Sequence, residues 1–367
     1  MPTDIIDNFP MHLQQRINAF AQLGTFLSQF NRSGIIKKED IPHNDLFFDG
    51  FKHQIKLARE HNGWFTEDNV LFAIEGWAAI LQESKLQEWL SVYDFSKVNP
   101  QIVAIIMAGN IPLVGFHDFL SVLISGHQVI AKLSSNDQQL LPFIAKYLEY
   151  VHPDFKGKIT FTQEKLESYD AVIATGSDNT ARYFEYYFGS KPHIIRKNRN
   201  SIAILTGNET AAQLSSLGED IFRYYGLGCR NVSKLFVPKS YDFDAFFNAM
   251  YAWKEIIEQA KYANNYDYNK AIYLMSLFDI VENGFLMLKE DDNYASPIST
   301  VFYEYYDDQA MLLQKLNADS ERIQCIVSDT FSEESVSFGH TQKPLLGDYA
   351  DGVDTICLLY TSPSPRD

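Results

Sequence analysis

The stretch Gln101–Pro112 reads QIVAIIMAGNIP, a near-continuous apolar run closed by a Gly-Asn turn. Gln101 to Met107 has the texture of a strand buried on both faces, because neither alternating face is reserved for water. Working outward, four runs of the same kind follow: Gln128 to Leu133 (QVIAKL), Ala171 to Thr175 (AVIAT), Ser201 to Leu205 (SIAIL) and Ser233 to Val237 (SKLFV). Leu120 to Ile124 and Leu140 to Tyr150 read as intervening helices. Strands alternating with helices predict an α/β fold with an open, mostly parallel sheet. In such sheets ligands bind beyond the carboxyl ends of the strands, so the turns after the strands are where chemistry is expected.

Three of those turns draw attention: Ala108-Gly109-Asn110-Ile111-Pro112, Lys132-Leu133-Ser134-Ser135 and Thr175-Gly176-Ser177-Asp178. None completes a G-x-G-x-x-G fingerprint, so an ordinary Rossmann phosphate turn is not supported. Each has a plainer reading: Asn110 as a turn cap, Lys132 as a snorkelling side chain, Gly176 with Ser177 as a helix start. Downstream, Arg223–Pro238 reads RYYGLGCRNVSKLFVP and sets Cys229 just ahead of the last apolar strand. Gly226 and Gly228 permit tight turns before Cys229, while Arg230 and Lys234 supply positive charge that favours a thiolate over a thiol. The plain alternative makes Cys229 a small apolar residue in front of a core strand. Its neighbours favour the reactive reading.

The 367 residues are 46% hydrophobic and 14% aromatic, enough for about two domains with sizeable cores. Thirty-one Lys and Arg against 47 Asp and Glu give a net charge of −16, which argues against a nucleic-acid partner. A local basic pocket for a phosphorylated cofactor stays compatible with that charge. Cys229, Cys325 and Cys357 are odd in number and far apart, so neither a disulfide framework nor a Cys-x-x-Cys metal site is expected. No metal is expected, and the compartment indicated is the reducing cytoplasm. Asp4 and Asp7 stand where a signal peptide would be basic, and no run approaches the roughly 18 apolar residues of a spanning helix, which disfavours secretion and membrane insertion.

Before residue 95 the pattern is helical. Leu13, Ile17, Phe20, Leu27 and Phe30 form a stripe ended by Asn31, Ser33 and Gly34. A second helix is predicted from Thr66, an N-cap, through Val70, Ile74, Trp77 and Leu81. Stripes of this kind are core packing.

Taken together, the Gly-Asn-Ile-Pro turn, Lys132, the Gly176-Ser177 turn and Cys229 resemble the aldehyde dehydrogenase superfamily. Within it the Cys229 segment, with Phe338-Gly339-His340 and Asp348 to Asp354, is most similar to long-chain acyl-CoA reductases like the reductase subunit of bacterial bioluminescence. The resemblance spans roughly residues 95 to 355. It implies an aldehyde dehydrogenase-like fold of two open, mostly parallel α/β domains with a helical N-terminal portion. It also implies Cys229 as nucleophile, Asn110 with the Cys229 N–H as oxyanion donors, Lys132 at the cofactor ribose, and Gly176 and Ser177 beside the nicotinamide.

Two departures from the aldehyde-oxidising pattern shape the implied chemistry. Where oxidising members carry a glutamate base, this chain has Arg196-Lys197-Asn198-Arg199-Asn200, so an acyl group on Cys229 lacks a base to activate water. Where NAD-preferring relatives carry a ribose-binding glutamate, this chain has Ser135; with Ser134 and Lys132 it suits a 2′-phosphate and makes NADPH the expected cofactor. The implied reaction is NADPH-dependent reduction of a fatty acyl-CoA or acyl thioester to the aldehyde. Alternatives are a cysteine acyltransferase without reductase activity and NAD(P)-dependent aldehyde oxidation. A homo-oligomer and an acyl-transferring partner enzyme are further implications of the resemblance.

The expected division is 1–94 helical and packed on the cofactor domain, 95–228 cofactor-binding, 229–345 catalytic and 346–367 a tail, with 358–367 (LLYTSPSPRD) read as non-native. The catalytic domain is expected to carry helices around Phe246–Ala260 and Ile272–Leu288 and strands around Thr300–Tyr303 and Ile323–Ser328, with Cys325 inert. Phe116, Phe119, Phe222, Tyr224 and Tyr225 are candidates for an acyl tunnel or for core, and His117, His127, His193 and His340 for an unassigned proton donor.

Overall fold

The computed structural model describes residues 12–176, 178–332 and 334–361. The chain divides into two compact units, one running to Lys197 and resuming at Leu345, the other Asn198–Pro344.

The first unit opens with α1 (Leu13–Leu27), a two-residue hairpin of β1 (Phe30–Asn31) and β2 (Gly34–Ile35), then α2 (Asn44–His61), α3 (Glu67–Ile80) and α4 (Glu83–Leu90). The predicted stripe is buried at Ile17, Phe20 and Leu27, but the helix stops at Leu27 and Phe30 belongs to the hairpin. Thr66 caps α3 by accepting the Asn69 N–H at 3.4 Å. There follow β3 (Ile102–Ile106), α5 (Phe116–Ile124), β4 (Gln128–Lys132), α6 (Leu140–Val151), β5 (Ile159–Phe161), β6 (Ala171–Thr175), α7 (Asp178–Phe188) and β7 (His193–Arg196).

These strands form one parallel sheet in the order β5-β4-β3-β6-β7. Val103, Ile105, Val129 and Ile173 are at most 1% exposed, and each such burial contributes about 1.5–3 kcal/mol. Ile106 is in register with both Lys132 and Ala174, which sets the carboxyl ends of β4, β3 and β6 side by side. The strand order reverses between β3 and β6, the kind of switch point at which open sheets leave a crevice. The core is continuous from Phe20, Phe26 and Ile74 to Val129 and Leu148, so the N-terminal helices and the sheet share it.

The second unit runs β8 (Asn200–Ile204), α8 (Ala211–Phe222), β9 (Val232–Pro238), α9 (Phe243–Met250), α10 (Ala260–Met275), β10 (Ile280–Glu282), β11 (Met287–Glu290), β12 (Thr300–Tyr306), α11 (Gln309–Ala318) and β13 (Ile323–Val327). Its sheet has the order β10-β11-β12-β9-β8-β13 and is parallel except for β10 with β11. The division therefore falls after Lys197 and not after residue 228, because β8 pairs with β9 and β13 instead of joining the first sheet.

The helix expected over Ile272–Leu288 ends at Met275. Leu277 turns left-handed (φ 56°), and Asn283-Gly284 closes the β10–β11 hairpin, with the Asn283 side chain accepting the Phe285 and Leu286 N–H groups. An Asn-Gly pair is a strong hairpin signal, and it overrides the apolar spacing.

The chain then returns to the first unit, where α12 (Thr355–Thr361) packs Ile356 and Leu359 into the core. The segment expected as a tail is thus partly structural up to Thr361, and residues 362–367 lie outside the described residues.

Candidate active site

Cys229 lies in the second unit, on the loop from α8 to β9, and is exposed. α8 starts from a capping box between Thr210 and Gln213 and ends at Phe222. The chain then takes three consecutive left-handed residues, Tyr224 (φ 55°), Tyr225 (φ 60°) and Gly226 (φ 75°). The glycine accepts this conformation freely, whereas the tyrosines do so at a cost of about 1–3 kcal/mol each.

Asn231 and Ser201 hold the backbone around the cysteine. The Asn231 Oδ1 accepts the Gly228 N–H at 2.8 Å, and the Ser201 hydroxyl donates to the Cys229 carbonyl at 3.0 Å. Asp220, on the last turn of α8 and fully buried, accepts from the Gly339 N–H at 2.6 Å, the Thr341 N–H at 3.0 Å and the Thr341 hydroxyl at 2.8 Å. Burial raises its carboxyl above the usual range, opposed by those three donors. The same helix end therefore anchors the cysteine turn and the segment carrying His340.

The two cations expected beside Cys229 are placed differently. Lys234 is fully buried in β9, its ammonium bonded to Glu304 at 2.6 Å and to the Asp291 carbonyl at 3.0 Å, over the rings of Phe236 and Tyr294. It is part of the sheet's core and does not serve the thiol. Arg230 directs Nη1 to the sulfur of Cys325 at 3.3 Å, so the buried Cys325 is a hydrogen-bond acceptor as well as packing.

Within the first unit the predicted residues gather at the carboxyl ends of β3, β4 and β6. Asn110 is exposed on the turn after β3. A Cβ at Gly109 would stand 2.5 Å from the Ser134 Oγ, so only glycine lets the β3 and β4 turns approach this closely. Lys132 ends β4, and its ammonium donates to the Glu164 carbonyl at 3.2 Å. Ser134 accepts the Asn136 N–H at 3.2 Å, while Ser135 is exposed with its carbonyl 2.9 Å from the His61 Nε2. Gly176 follows β6, its N–H bonded to the Arg196 carbonyl at 3.4 Å, and a Cβ there would stand 3.0 Å from Thr180 and Phe184. Ser177 lies outside the described residues.

Sequence reasoning passed over Asp137. It is 9% exposed, its Oδ2 accepts the Leu113 N–H at 2.9 Å, and its Oδ1 has no partner among the described residues. Burial pushes its carboxyl up to about 6. Only its place five residues after Lys132, in a polar turn, hints at this in the sequence.

The Arg196–Asn200 stretch is basic and engaged. Arg196 forms a buried ion pair with Asp118 and donates to the Thr355 hydroxyl at 3.1 Å, and Lys197 pairs with Glu185 at 3.0 Å. Of the aromatic candidates, Phe116, Phe119, Phe222 and Tyr224 are core, and Tyr225 is half-buried near Tyr262. A cavity of about 30 Å³ beside Tyr225 and Gly226 has room for water and none for a fatty chain.

His127 and His193 sit at the amino ends of β4 and β7, on the far edge of the sheet from the polar turns. His117 is tied to the Leu346 carbonyl at 2.9 Å, and His340 has Nδ1 2.9 Å from the Phe338 carbonyl. An open groove of about 520 Å³ between α1 and the end of α3 is lined by none of the predicted residues.

A nicotinamide dinucleotide suits the carboxyl edge of the first sheet. Gly109 and Gly176 follow the two strands that flank the switch point, and Lys132 ends the neighbouring strand β4. Among the described residues no helix is long and apolar enough to cross a membrane, and no group of three His, Cys, Asp or Glu side chains could hold a metal ion.

A family model described as acyl-CoA reductase (LuxC) matches residues 50–252. No curated protein matches the chain by sequence. Among solved structures, an indole-3-acetaldehyde dehydrogenase complexed with NAD+ is 16% identical with a TM-score of 0.60, over 83% of this chain and 69% of that chain. Aldehyde dehydrogenase 21 from Physcomitrella patens is 11% identical with a TM-score of 0.61, over 87% and 74%. The aldehyde dehydrogenase KauB from Pseudomonas aeruginosa is 13% identical with a TM-score of 0.60, over 86% and 76%. The fold is that of the aldehyde dehydrogenases.

Proposed function

Because the chain belongs to the acyl-CoA reductase (LuxC) family, we propose that it reduces a long-chain fatty acyl-CoA or acyl thioester to the aldehyde through an acyl-enzyme on Cys229, with NADPH as reductant. The observation that carries this reading is the exposed Cys229 on a turn whose backbone is clamped at Gly228 and at its own carbonyl.

In this reading the first unit binds the cofactor and the second carries the nucleophile. The Cys229 sulfur bonds to the acyl carbon, the acyl–CoA sulfur bond breaks, and CoA leaves as its thiol with the proton that Cys229 gave up. Asn110 and the Cys229 N–H are the proposed oxyanion donors; loss of one such donor costs roughly 3 kcal/mol of transition-state stabilisation. A reduced nicotinamide cofactor, when bound, supplies the hydride that brings the acyl group to the aldehyde level. The chain's part is to keep the acyl carbon on sulfur until then and to regain the Cys229 thiolate as the carbon–sulfur bond breaks, the proton for the next cycle coming from solvent.

Hydrolysis of the acyl-enzyme is disfavoured because the Arg196–Asn200 stretch offers no carboxylate to activate water. That absence also favours reduction over aldehyde oxidation. NADPH is preferred because Ser135 is exposed beside Lys132, where a carboxylate would repel a 2′-phosphate. Lys132, Ser134, Ser135, Gly176 and Ser177 are the proposed cofactor contacts. A homo-oligomer and an acyl-donating partner belong to the same reading, and three cysteines that form no disulfide with one another favour a reducing compartment.

The test is incubation of the full chain with acyl-CoAs of graded length and NADPH, following cofactor oxidation beside Cys229→Ala. Oxidation that the substitution abolishes supports the reading; oxidation at the parent's rate in Cys229→Ala removes it.

A further inference from the structure

The Cys229 turn grows out of the end of α8. α8 stops at Phe222: the Arg223 N–H still closes onto the Glu219 carbonyl, and a 3-10 turn over Arg223–Gly226 replaces the α-helical ladder beyond it. Many helices finish in one left-handed glycine, but here two tyrosines and Gly226 take that conformation in succession. Left alone, Tyr224 and Tyr225 would relax to the right-handed or extended regions and carry Gly228 and Cys229 with them.

A buried amide opposes this. The Asn231 side chain is 3% exposed, and the two N–H groups of its Nδ2 reach the carbonyls of Arg223 at 2.8 Å and Asp220 at 3.0 Å, with the Ile221 carbonyl sharing one of them at 3.3 Å. Its Oδ1 accepts the Gly228 N–H at 2.8 Å, and its own N–H donates to the Gly228 carbonyl at 3.0 Å. Asn231 thus joins what lies before the left-handed run to what lies after it. On the other flank, Ser201 of β8, fully buried, holds the Cys229 carbonyl.

The task requires a neutral group that donates and accepts over a short reach. Aspartate would turn a second acceptor on three carbonyls, and an aliphatic side chain would offer them no donor.

We propose that Asn231 is the positioning residue of the nucleophile turn, with Ser201 as a second anchor, and that together they fix the direction in which Cys229 presents its sulfur. The proposal rests on the assignment of Cys229 as nucleophile.

The test uses the full chain. Alkylation of Cys229 by iodoacetamide is followed by mass spectrometry from about pH 6 to about pH 9, where a thiol titrates, beside kcat and KM with palmitoyl-CoA and NADPH. Asn231→Ala is expected to slow alkylation by about tenfold or more and to lower kcat comparably, with KM within about threefold of the parent. Ser201→Ala changes both rates in the same direction by less. Adding Tyr225→Gly to Asn231→Ala recovers part of the alkylation rate, because glycine holds the left-handed turn without the pin.

Parental alkylation and kcat in Asn231→Ala would overturn the proposal, as would a lowered kcat with unchanged alkylation. Should Asn231→Ala fail to fold, Ser201→Ala decides alone, and parental rates there overturn the proposal. Cys229→Ser separates this from the function itself. Parental reductase activity in that variant removes the nucleophile assignment, while the alkylation comparison still reports whether Asn231 sets the turn.

Discussion

The Asp137 carboxylate accepts the Leu113 N–H at 2.9 Å and so ties the turn after β3, which carries Asn110, to the turn after β4, which carries Ser134 and Ser135. Burial raises its carboxyl to about 6 from an unfolded value near 3.9. The folded state therefore binds the proton more tightly, and the stability this group adds is full below about pH 4 and lost as pH rises through about 6. Asp137→Asn, which keeps an acceptor for Leu113, is expected to gain on the order of 1 kcal/mol at neutral pH and to flatten that slope. Urea unfolding of parent and variant at several pH values checks it; equal slopes would count against the assignment.

His127 acts in the opposite sense. It is 1% exposed, accepts the Gln101 N–H at 3.1 Å, and burial lowers it to about 4. Its contribution is full above about pH 6.5 and is lost as pH falls towards 4, by on the order of 3 kcal/mol. His127→Gln should start less stable at neutral pH and lose less on acidification in the same unfolding series.

Lys234 tests where the cations of the Cys229 segment work. Removing a partner from a buried ion pair leaves an uncompensated charge, so Lys234→Ala is expected to cost about 3 kcal/mol. Calorimetry should show the loss while Cys229 alkylation stays at the parent's rate. A selective fall in alkylation with unchanged stability would return Lys234 to the thiol.

Ser135 decides the cofactor in the proposed reading. Ser135→Glu is expected to lower the kcat/KM ratio of NADPH to NADH by about tenfold or more, roughly 1.4 kcal/mol of discrimination. Steady-state kinetics with both cofactors measures it, and an unchanged ratio would move the 2′-phosphate site elsewhere.

Much of the sheet was legible because a strand buried on both faces announces itself locally. Ala171–Thr175 matches β6 residue for residue, and Gln128 to Leu133 overshoots β4 by one. Which sheet a strand joins is not local, and nothing in Ser201 to Leu205 tells that β8 pairs with β9 and β13. Lys234 was misjudged for a related reason: its charge is read from the sequence, but Glu304, which neutralises it, is brought alongside only when β12 pairs with β9. The cysteine and its glycines were visible as a motif. Asn231 was not, because its role exists only once α8 has ended at Phe222 and turned its carbonyls towards it.

The most direct measurement traps the covalent intermediate. The full chain is incubated with palmitoyl-CoA and no nicotinamide cofactor, digested, and examined by mass spectrometry while free CoA is titrated. A single palmitoyl group is expected on the Cys229 peptide, labile to hydroxylamine, matched by released CoA and absent in Cys229→Ala. An unmodified Cys229 in a preparation that reduces palmitoyl-CoA when NADPH is added would contradict it.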